Sequence, residues 1–464
     1  MTIKVFMQIR QVIVLARESS EVNDFLSRLE EKGVIVNRSN PAELLKEIAS
    51  AGGGLGGGSD RLVLCDKSFD SAPFGPAAVM AAVESGCPVL IGPDRFGGFI
   101  EELEKEGGLC EGSRRELASE AVYRSISRGA EILAALQGES PRLLVQAYEK
   151  VQDLRYGENW HQKASLYSKP DGFGLHRAPK LSGKEMSYNN VVDAEATLEM
   201  LVDLVEYDGV KEDRCLSVIV KHANPCGVAY GQDGVEAYRR ALSTDPKSAF
   251  GGVMGFSEPV GVELAEEMRD HFIEVLLAPG YDPEALAILM EKPNRRILDV
   301  TELLEGRDQL YQGSQSKSVF GGLLVQDYDR GDIMEWKVVT ERGPTPAETM
   351  ALRFAWKVTK YVKSNALVYA TPNQTVGIGS GQVSRVDSAR FGAEKAVEHG
   401  LDTRGTVAAT DSFFPFRDGL DRTFEAGATA VVHPGGSIRD AEVIEAADEQ
   451  GMAMVFTGMR HFRH

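Results

Sequence analysis

At 464 residues, with 43% hydrophobic and 26% charged residues in the usual globular range, the chain is too long for one ordinary core and implies about three domain-sized units. Its 51 basic and 69 acidic residues leave a formal net charge of −18. That balance argues against a broad nucleic-acid or anionic-membrane surface, while an anionic small substrate in a cleft of focused arginines and lysines stays open.

The first elements in chain order form a β-α-β start. An apolar run over 12–16 is followed by Val22, Phe25, Leu26 and Leu29 at helical spacing, then by Val34-Ile35-Val36 as a strand. Asn40 before Pro41, with Glu43 three residues on, predicts a capped helix over 44–48. The run 52–58, all glycine but for Leu55, follows a helix and lacks a Gly-Lys-Ser/Thr ending, so it reads as a connector and not as a phosphate loop. Strands at 62–64 and 88–91, a helix over 77–83, and helices over 99–105 and 114–136 complete a compact α/β unit. Few polar residues converge anywhere in it. No N-terminal run is long enough for a signal segment or a membrane span, and Cys65, Cys87, Cys110, Cys215 and Cys226 are scattered without a C-x-x-C pair. The expectation is a cytoplasmic protein with no disulfide framework and no structural zinc.

Past 137–141 the punctuation fills with specific polar residues. The stretch 154–162 is rich in hydrogen-bond donors, and Tyr188-Asn189-Asn190 precedes a helix running through Asp193 to about 205. Leu216, Val218, Ile219 and Val220 read as a buried strand, with Asn224-Pro225 and Gly227 as the turn that stops it. Lys221 and His222 then emerge at a strand end, where open α/β sheets place ligand sites. A histidine moves protons near neutral pH and a neighbouring ammonium stabilises a developing oxyanion. The alternative is a solvated lysine beside a hydrogen-bonded core histidine. Cys226 is either a nucleophile or a small residue tucked into the Pro-Cys-Gly turn. Further on, 245–252 lies between a helix and the strand 253–256, and 274–279 is another strand ending in a turn, with an α/β rhythm over 286–298.

A second α/β unit is expected from about residue 340, with a helix over 347–362 and Lys363-Ser364-Asn365 leading into a strand at 366–369. Gly377-x-Gly379-x-Gly381 then opens a helix that carries Ser384, Arg385, Asp387 and Arg390, a strand, glycine turn and helix N-terminus suited to an anion. The spacing is not that of a dinucleotide fingerprint. The aromatic loop 411–418 suits a planar ligand or is simply packed.

Taken together, Arg155-Tyr156-Gly157-Glu158-Asn159, Lys221-His222-x-x-Pro225-x-Gly227, Ser248-x-Phe250-Gly251-Gly252, Lys363-Ser364-Asn365-Ala366, Gly377-Ile378-Gly379-x-Gly381-Gln382-x-Ser384-Arg385, Asp411-x-Phe413-Phe414-Pro415-Phe416-Arg417-Asp418 and Arg460-His461-Phe462 resemble one family. It is the bifunctional purine-biosynthesis family that carries aminoimidazole-carboxamide-ribonucleotide (AICAR) formyltransferase and inosine-monophosphate (IMP) cyclohydrolase activities. The resemblance implies an α/β chain in three parts. These are a methylglyoxal-synthase-like, Rossmann-like domain over 1–140, and two cytidine-deaminase-like subdomains without zinc over 141–335 and 336–464. It further implies formyl transfer from 10-formyltetrahydrofolate to the 5-amine of AICAR, no metal requirement, and a homodimer whose active sites are completed across the interface.

By this resemblance His222 shuttles the amine proton, Lys221 stabilises the oxyanion or passes a proton toward the folate nitrogen, and Asn365 orients the formyl oxygen. Arg155 and Arg460 match positions that hold the phosphate and carboxamide end. Tyr156, Asn189, Phe250, Gly251 and Glu274 match the ribose and base pocket. Arg385 matches a substrate-binding arginine, Phe413 the aromatic beside the imidazole ring, and Asp418 a folate-side acid. Trp160 stands where the family usually has proline, and the monovalent-cation positions are not carried over.

The front domain departs furthest. Asn37-Arg38-Ser39-Asn40-Pro41 replaces the family's Ser-Thr-Gly-Gly-Thr loop, its Lys-Thr-Leu-His-Pro segment is absent, and Glu84-Ser85 replaces a Lys-Asn pair. The expectation is that the cyclohydrolase site is lost and the domain is degenerate. Two rivals stay open: a bifunctional enzyme that retains cyclohydrolase, and a non-catalytic AICAR-binding module.

Overall fold

The computed structural model describes residues 8–50, 60–65, 75–137, 142–170, 172–207, 210–211 and 214–464, so the glycine-rich run 52–58 and most of 137–141 lie outside the described residues. The chain divides into two compact units, Met1–Glu149 with Tyr167–Asp171, and Lys150–Leu166 with Gly172–His464. Both are mixtures of helix and sheet.

The first unit holds a parallel four-stranded sheet in the order Ile35–Arg38, Gln11–Val14, Arg61–Cys65, Val89–Ile91. After their first residues, Gln11 and Arg61, its two central strands are apolar and buried, as strands covered on both faces are. Phe25, Leu29, Phe96 and Ile100 form one core with Val12 and Leu64, and Leu44, Val79 and Ala121 form another with Ile13 and Val63. The expected cap is present: Asn40 Oδ1 accepts from the Glu43 amide at 2.9 Å and opens the helix Pro41–Ser50.

In the second unit the same topology occurs twice. One six-stranded sheet runs Asn224–Gly231, Cys215–Lys221, Gly252–Phe256, Ile273–Ala278, Arg296–Asp299, Lys180–Ser182; the other runs Thr375–Gly379, Leu367–Ala370, Val407–Thr410, Ala430–His433, Ala453–Phe456, Lys337–Val338. In each, the successive pairings are antiparallel, antiparallel, parallel, parallel and antiparallel. In each, too, the last-named edge strand is followed by a long helix with a capping box, Ser187/Asn190 before Tyr188–Leu204 and Thr345/Glu348 before Pro346–Thr359. Those two helices share one core with inner residues of both sheets, Leu201 and Trp356 packing in the same cluster as Val218, Val275, Val368 and Val432. Asp203 ties them together: its carboxylate accepts from Tyr361 at 2.8 Å and Lys360 at 3.2 Å.

The two sheets meet along the edge strands Asn224–Gly231 and Thr375–Gly379. Ala229 and Gln374 form a β-bridge, the Val228 amide donates to Thr375 Oγ1 at 3.0 Å, and Thr244 Oγ1 donates to the Thr375 carbonyl at 2.6 Å. Each edge is thereby covered, which a bare strand edge requires.

Two sequence expectations are corrected. Asn224, Pro225 and Gly227 do not form the turn; they belong to the strand Asn224–Gly231, and the turn is the preceding pair His222-Ala223. Proline is tolerated there because the strand is an edge and the register shifts between Ile219 and Val220. Nor do Gly377 and Gly379 form a loop. They lie inside the strand Thr375–Gly379, where a Cβ would collide with the backbone of Gly392 and Ser388 in the helix Arg385–Glu398 that packs over it. Gly227 serves the first half likewise against Ala241. These glycines exist for close strand-helix approach, and only Gly381, at φ +67°, turns the chain. Gly379→Ala is expected to cost about 1–3 kcal/mol through forced backbone shifts, read as a lower urea midpoint with unchanged urea dependence.

Candidate active site

The Lys221-His222 pair sits at the tip of a hairpin between Cys215–Lys221 and Asn224–Gly231, with Lys221 paired to Asn224 across a two-residue loop. His222 and Ala223 both have φ of 55°. Two left-handed residues give the twist that a tight hairpin favours, yet the usual occupants are asparagine and glycine. For side-chain-bearing residues that conformation costs roughly 1–2 kcal/mol each. It is offset by hydrogen bonds from outside the hairpin. Asp193, on the helix Tyr188–Leu204, accepts from the His222 amide at 3.2 Å and the Ala223 amide at 2.7 Å. From the other half, the Lys363 amide donates to Asn224 Oδ1 at 3.0 Å and Lys363 Nζ to the His222 carbonyl at 3.3 Å.

The tip opens on a cavity of about 450 Å³ that draws Lys221, His222 and Cys226 from the first half, and Ile378, Ser380 and Lys395 from the second. Three lysines line it against the single carboxylate of Asp245, a balance suited to an anionic ligand. Lys221 Nζ donates to the Phe250 carbonyl at 2.7 Å, which uses one of its three hydrogens and fixes the ammonium beside the imidazole-bearing tip. Burial pushes the Asp245 carboxyl up, but hydrogen bonds from Lys395 and Ser248 more than offset it and hold the group below the usual carboxylate range. His399 Nε2 lies 3.1 Å from Asp245 Oδ1, the oxygen that also accepts from the Ser248 amide. Burial, with Asp245 nearby, pushes the Cys226 thiol up to about 12, so Cys226 is a packed residue and no thiolate is available at neutral pH.

Asn365 belongs to a second cluster. Its Oδ1 accepts from Arg385 Nη2 at 3.0 Å and its Nδ2 donates to the Gln382 carbonyl at 2.9 Å, so the amide is held in one orientation with a second Nδ2 hydrogen left over. The Ser364–Asn365 peptide is cis. Arg385, 7% exposed, also donates to Ala366 O, Thr410 Oγ1 and Asp411 Oδ1, the last at 2.6 Å. Asp411, wholly buried, accepts from Ser364 Oγ and from the Ala366 amide as well. The same Arg385 charge, after burial, holds the His433 imidazole down at about 3.

The other expected residues are spread around these two clusters. Gly251, at φ +71°, donates its amide to the Phe272 carbonyl at 2.8 Å, while the exposed Phe250 ring packs 5.1 Å from that of Phe272. Glu274 pairs with the buried Arg296 at 2.6 Å. Asn189 Nδ2 donates to the Glu158 carbonyl at 3.2 Å, tying the helix start to the loop of Arg155 and Tyr156, where the guanidinium lies 5.4 Å from the phenol ring. Trp160 is 84% exposed on that loop. Phe413 is half-buried, Asp418 is exposed and receives the Gly419 amide, and Arg460 is exposed over the Phe462 ring at 4.3 Å. Of the residues to which the family resemblance gives a catalytic or binding role, only Lys221 and His222 line the cavity. Sequence reasoning missed Asp193, Lys363 and Lys395, because their partners lie 30, 141 and 150 residues away along the chain. Among the described residues no group of three or more His, Cys, Asp and Glu is placed to hold a metal ion, and no helix is long and apolar enough to cross a membrane.

Comparison with known proteins agrees with the motif pattern. A family model described as AICARFT/IMPCHase bienzyme matches residues 85–395. The bifunctional purine biosynthesis protein PurH of Acidithiobacillus ferrooxidans is 45% identical over 404 residues, 84% of this chain and 75% of the relative. Those of Chloroflexus aurantiacus and Cereibacter sphaeroides are 44% and 46% identical, each match covering 84% of this chain and 75% of the relative. With such matches over most of its length, the chain belongs to the AICARFT/IMPCHase family.

Proposed function

We propose that the chain is an AICAR formyltransferase of purine biosynthesis, taking its formyl group from 10-formyltetrahydrofolate. The observation that carries this reading is the Lys221-His222 hairpin tip, locked in place and opening on a cation-lined cavity, in a chain of this family. The AICAR amine is a weak nucleophile, its lone pair delocalised into the ring and carboxamide, so position and proton removal supply the rate. As the nitrogen attacks the formyl carbon, His222 takes the amine proton and Lys221 neutralises the tetrahedral oxyanion. The bond from carbon to the folate nitrogen then breaks, that nitrogen gains a proton, and formylated AICAR and tetrahydrofolate leave. The step balances without a metal. Asn365 uses its remaining Nδ2 hydrogen on the formyl oxygen, and Arg385, bonded to it, meets the substrate beside it.

Arg155 and Arg460 hold the phosphate and carboxamide end, where a planar guanidinium is better suited than an ammonium. Tyr156, Asn189, Phe250, Gly251 and Glu274 surround ribose and base, Phe413 faces the imidazole, and Asp418 serves the folate. That most of these residues lie off the cavity supports a homodimer in which a second copy completes each site. The reading places it in the cytoplasm, where cysteines scattered without a C-x-x-C pair are usual. The repeated strand order supports two deaminase-like subdomains, 141–335 and 336–464, behind a front domain over 1–140.

In this reading the front domain has lost cyclohydrolase activity. Where the family's phosphate loop would stand, two residues link the strand Ile35–Arg38 to a helix whose first turn is already capped by Asn40. The names of the relatives favour the rival of a bifunctional enzyme. One assay decides both points. Purified protein with AICAR and 10-formyltetrahydrofolate is expected to release tetrahydrofolate and accumulate formylated AICAR. IMP formed from that product above the uncatalysed background supports the rival, and no formyl transfer at all defeats the proposal.

A further inference from the structure

The hairpin tip poses a structural question of its own. Its two loop residues are left-handed although neither is glycine or asparagine, and the two loop amides are both directed at one side chain, Asp193. Successive amides in such a turn form a concavity that binds an anion. Here each carboxylate oxygen takes one amide, Oδ2 that of His222 and Oδ1 that of Ala223. Only a group with two acceptor oxygens and no donor can do this, and asparagine offers one acceptor and turns its NH2 toward the second amide. Asp193 is itself rigidly mounted, one turn into a helix with a capping box, its own carbonyl accepting from Thr197 Oγ1 at 2.8 Å.

We propose that Asp193 is a positioning residue for His222: its carboxylate holds the left-handed His222-Ala223 loop and so aims the imidazole, beside the Lys221 ammonium, into the cavity. This rests on the formyltransferase reading for its kinetic consequence, though not for its structural one. Asp193 touches only backbone at the tip, so it acts through His222 and not on the substrate. Lys363 holds the opposite side of the same loop through the His222 carbonyl, and Lys363 also begins the segment that carries Asn365. The tip is therefore gripped by one residue from each half of the second unit, and loss of the Asp193 grip frees the amides while leaving the carbonyl contact.

The test uses the full chain with Asp193→Asn and with Asp193→Asn/Ala223→Gly. Asp193→Asn is expected to lower kcat by about 10²-fold, the scale of a small misplacement of a reacting group, with the KM for AICAR little changed. Hydrogen exchange in the segment 218–227 is expected to speed up. Adding Ala223→Gly is expected to restore a large part of the lost kcat, because glycine enters the left-handed region without a Cβ penalty. A generic structural role for Asp193 would not respond to glycine at 223. Parental kcat in Asp193→Asn, or a loss that Ala223→Gly leaves untouched, overturns the inference. Should Asp193→Asn not fold, the double variant is read alone: folded and active supports the inference, unfolded overturns it. If the parent itself shows no formyl transfer, the functional reading fails, and unchanged exchange at 218–227 in Asp193→Asn is then the result that overturns the inference.

Discussion

His222→Ala is expected to lower formyl transfer by about 10²–10⁴-fold, the usual worth of a positioned general base. The variant keeps the fold, because His222 contributes only backbone groups to the described hydrogen bonds of the hairpin, to Asp193 and to Lys363. Lys221→Ala is expected to cost about 10²–10³-fold, as removal of a preorganised charge at a developing oxyanion does. Its effect has a second component. Without the ammonium the Phe250 carbonyl loses its 2.7 Å donor, and the Phe250-Gly251 turn beside it loosens. AICAR affinity therefore weakens in Lys221→Ala more than in His222→Ala, a difference that kcat and KM measured separately would reveal. Turnover of both variants at the parental rate would remove the hairpin tip from the chemistry.

Asp411→Ala is expected to be the most destabilising single change in the second unit, at about 3–5 kcal/mol, the cost of leaving a buried charge without its partner. Arg385 would remain 7% exposed with its guanidinium facing the vacated space. Ser364 Oγ and the Ala366 amide would lose their acceptor together, and the orientation of Asn365 depends on all three. Activity should fall with stability. Pairing Asp411→Leu with Arg385→Met separates the two effects: two apolar residues of similar volume remove the orphaned charge, so the urea midpoint recovers, while Asn365 remains without its arginine and turnover stays low. A single Asp411→Ala variant with a parental urea midpoint would contradict this picture.

How far the sequence foretold these sites depends on the kind of signal. Strands covered on both faces announce themselves, since Val218 to Val220 and Leu62 to Leu64 are continuous apolar runs and all are buried. Asn40 and Glu43 marked a helix start that the structure keeps. The turn after Lys221 was misplaced because its signal is absent locally. His-Ala is a poor left-handed pair, and Asn-Pro two residues on is a good turn pair, so local preference pointed to the wrong peptide. Asp193, 30 residues upstream of Ala223, decides the matter through space. The glycine spacing 377-379-381 misled for a related reason: spacing does not distinguish a glycine that turns the chain from one that lets a helix approach a strand. A motif match offered Arg385 as a ligand for substrate, while its contacts with Asp411 and Asn365 come from packing that no local pattern shows. The repeat of strand order between the two halves carries no local signature either, since the two sets of strands share topology and not residues.

The most direct measurement is a crystal structure of the chain with AICAR bound. The expected result puts the phosphate against Arg155 and the 5-amine within roughly 2.6–3.2 Å of His222, or one water away from it. AICAR seated elsewhere, or held with its amine turned away from the Lys221-His222 tip, would contradict the account.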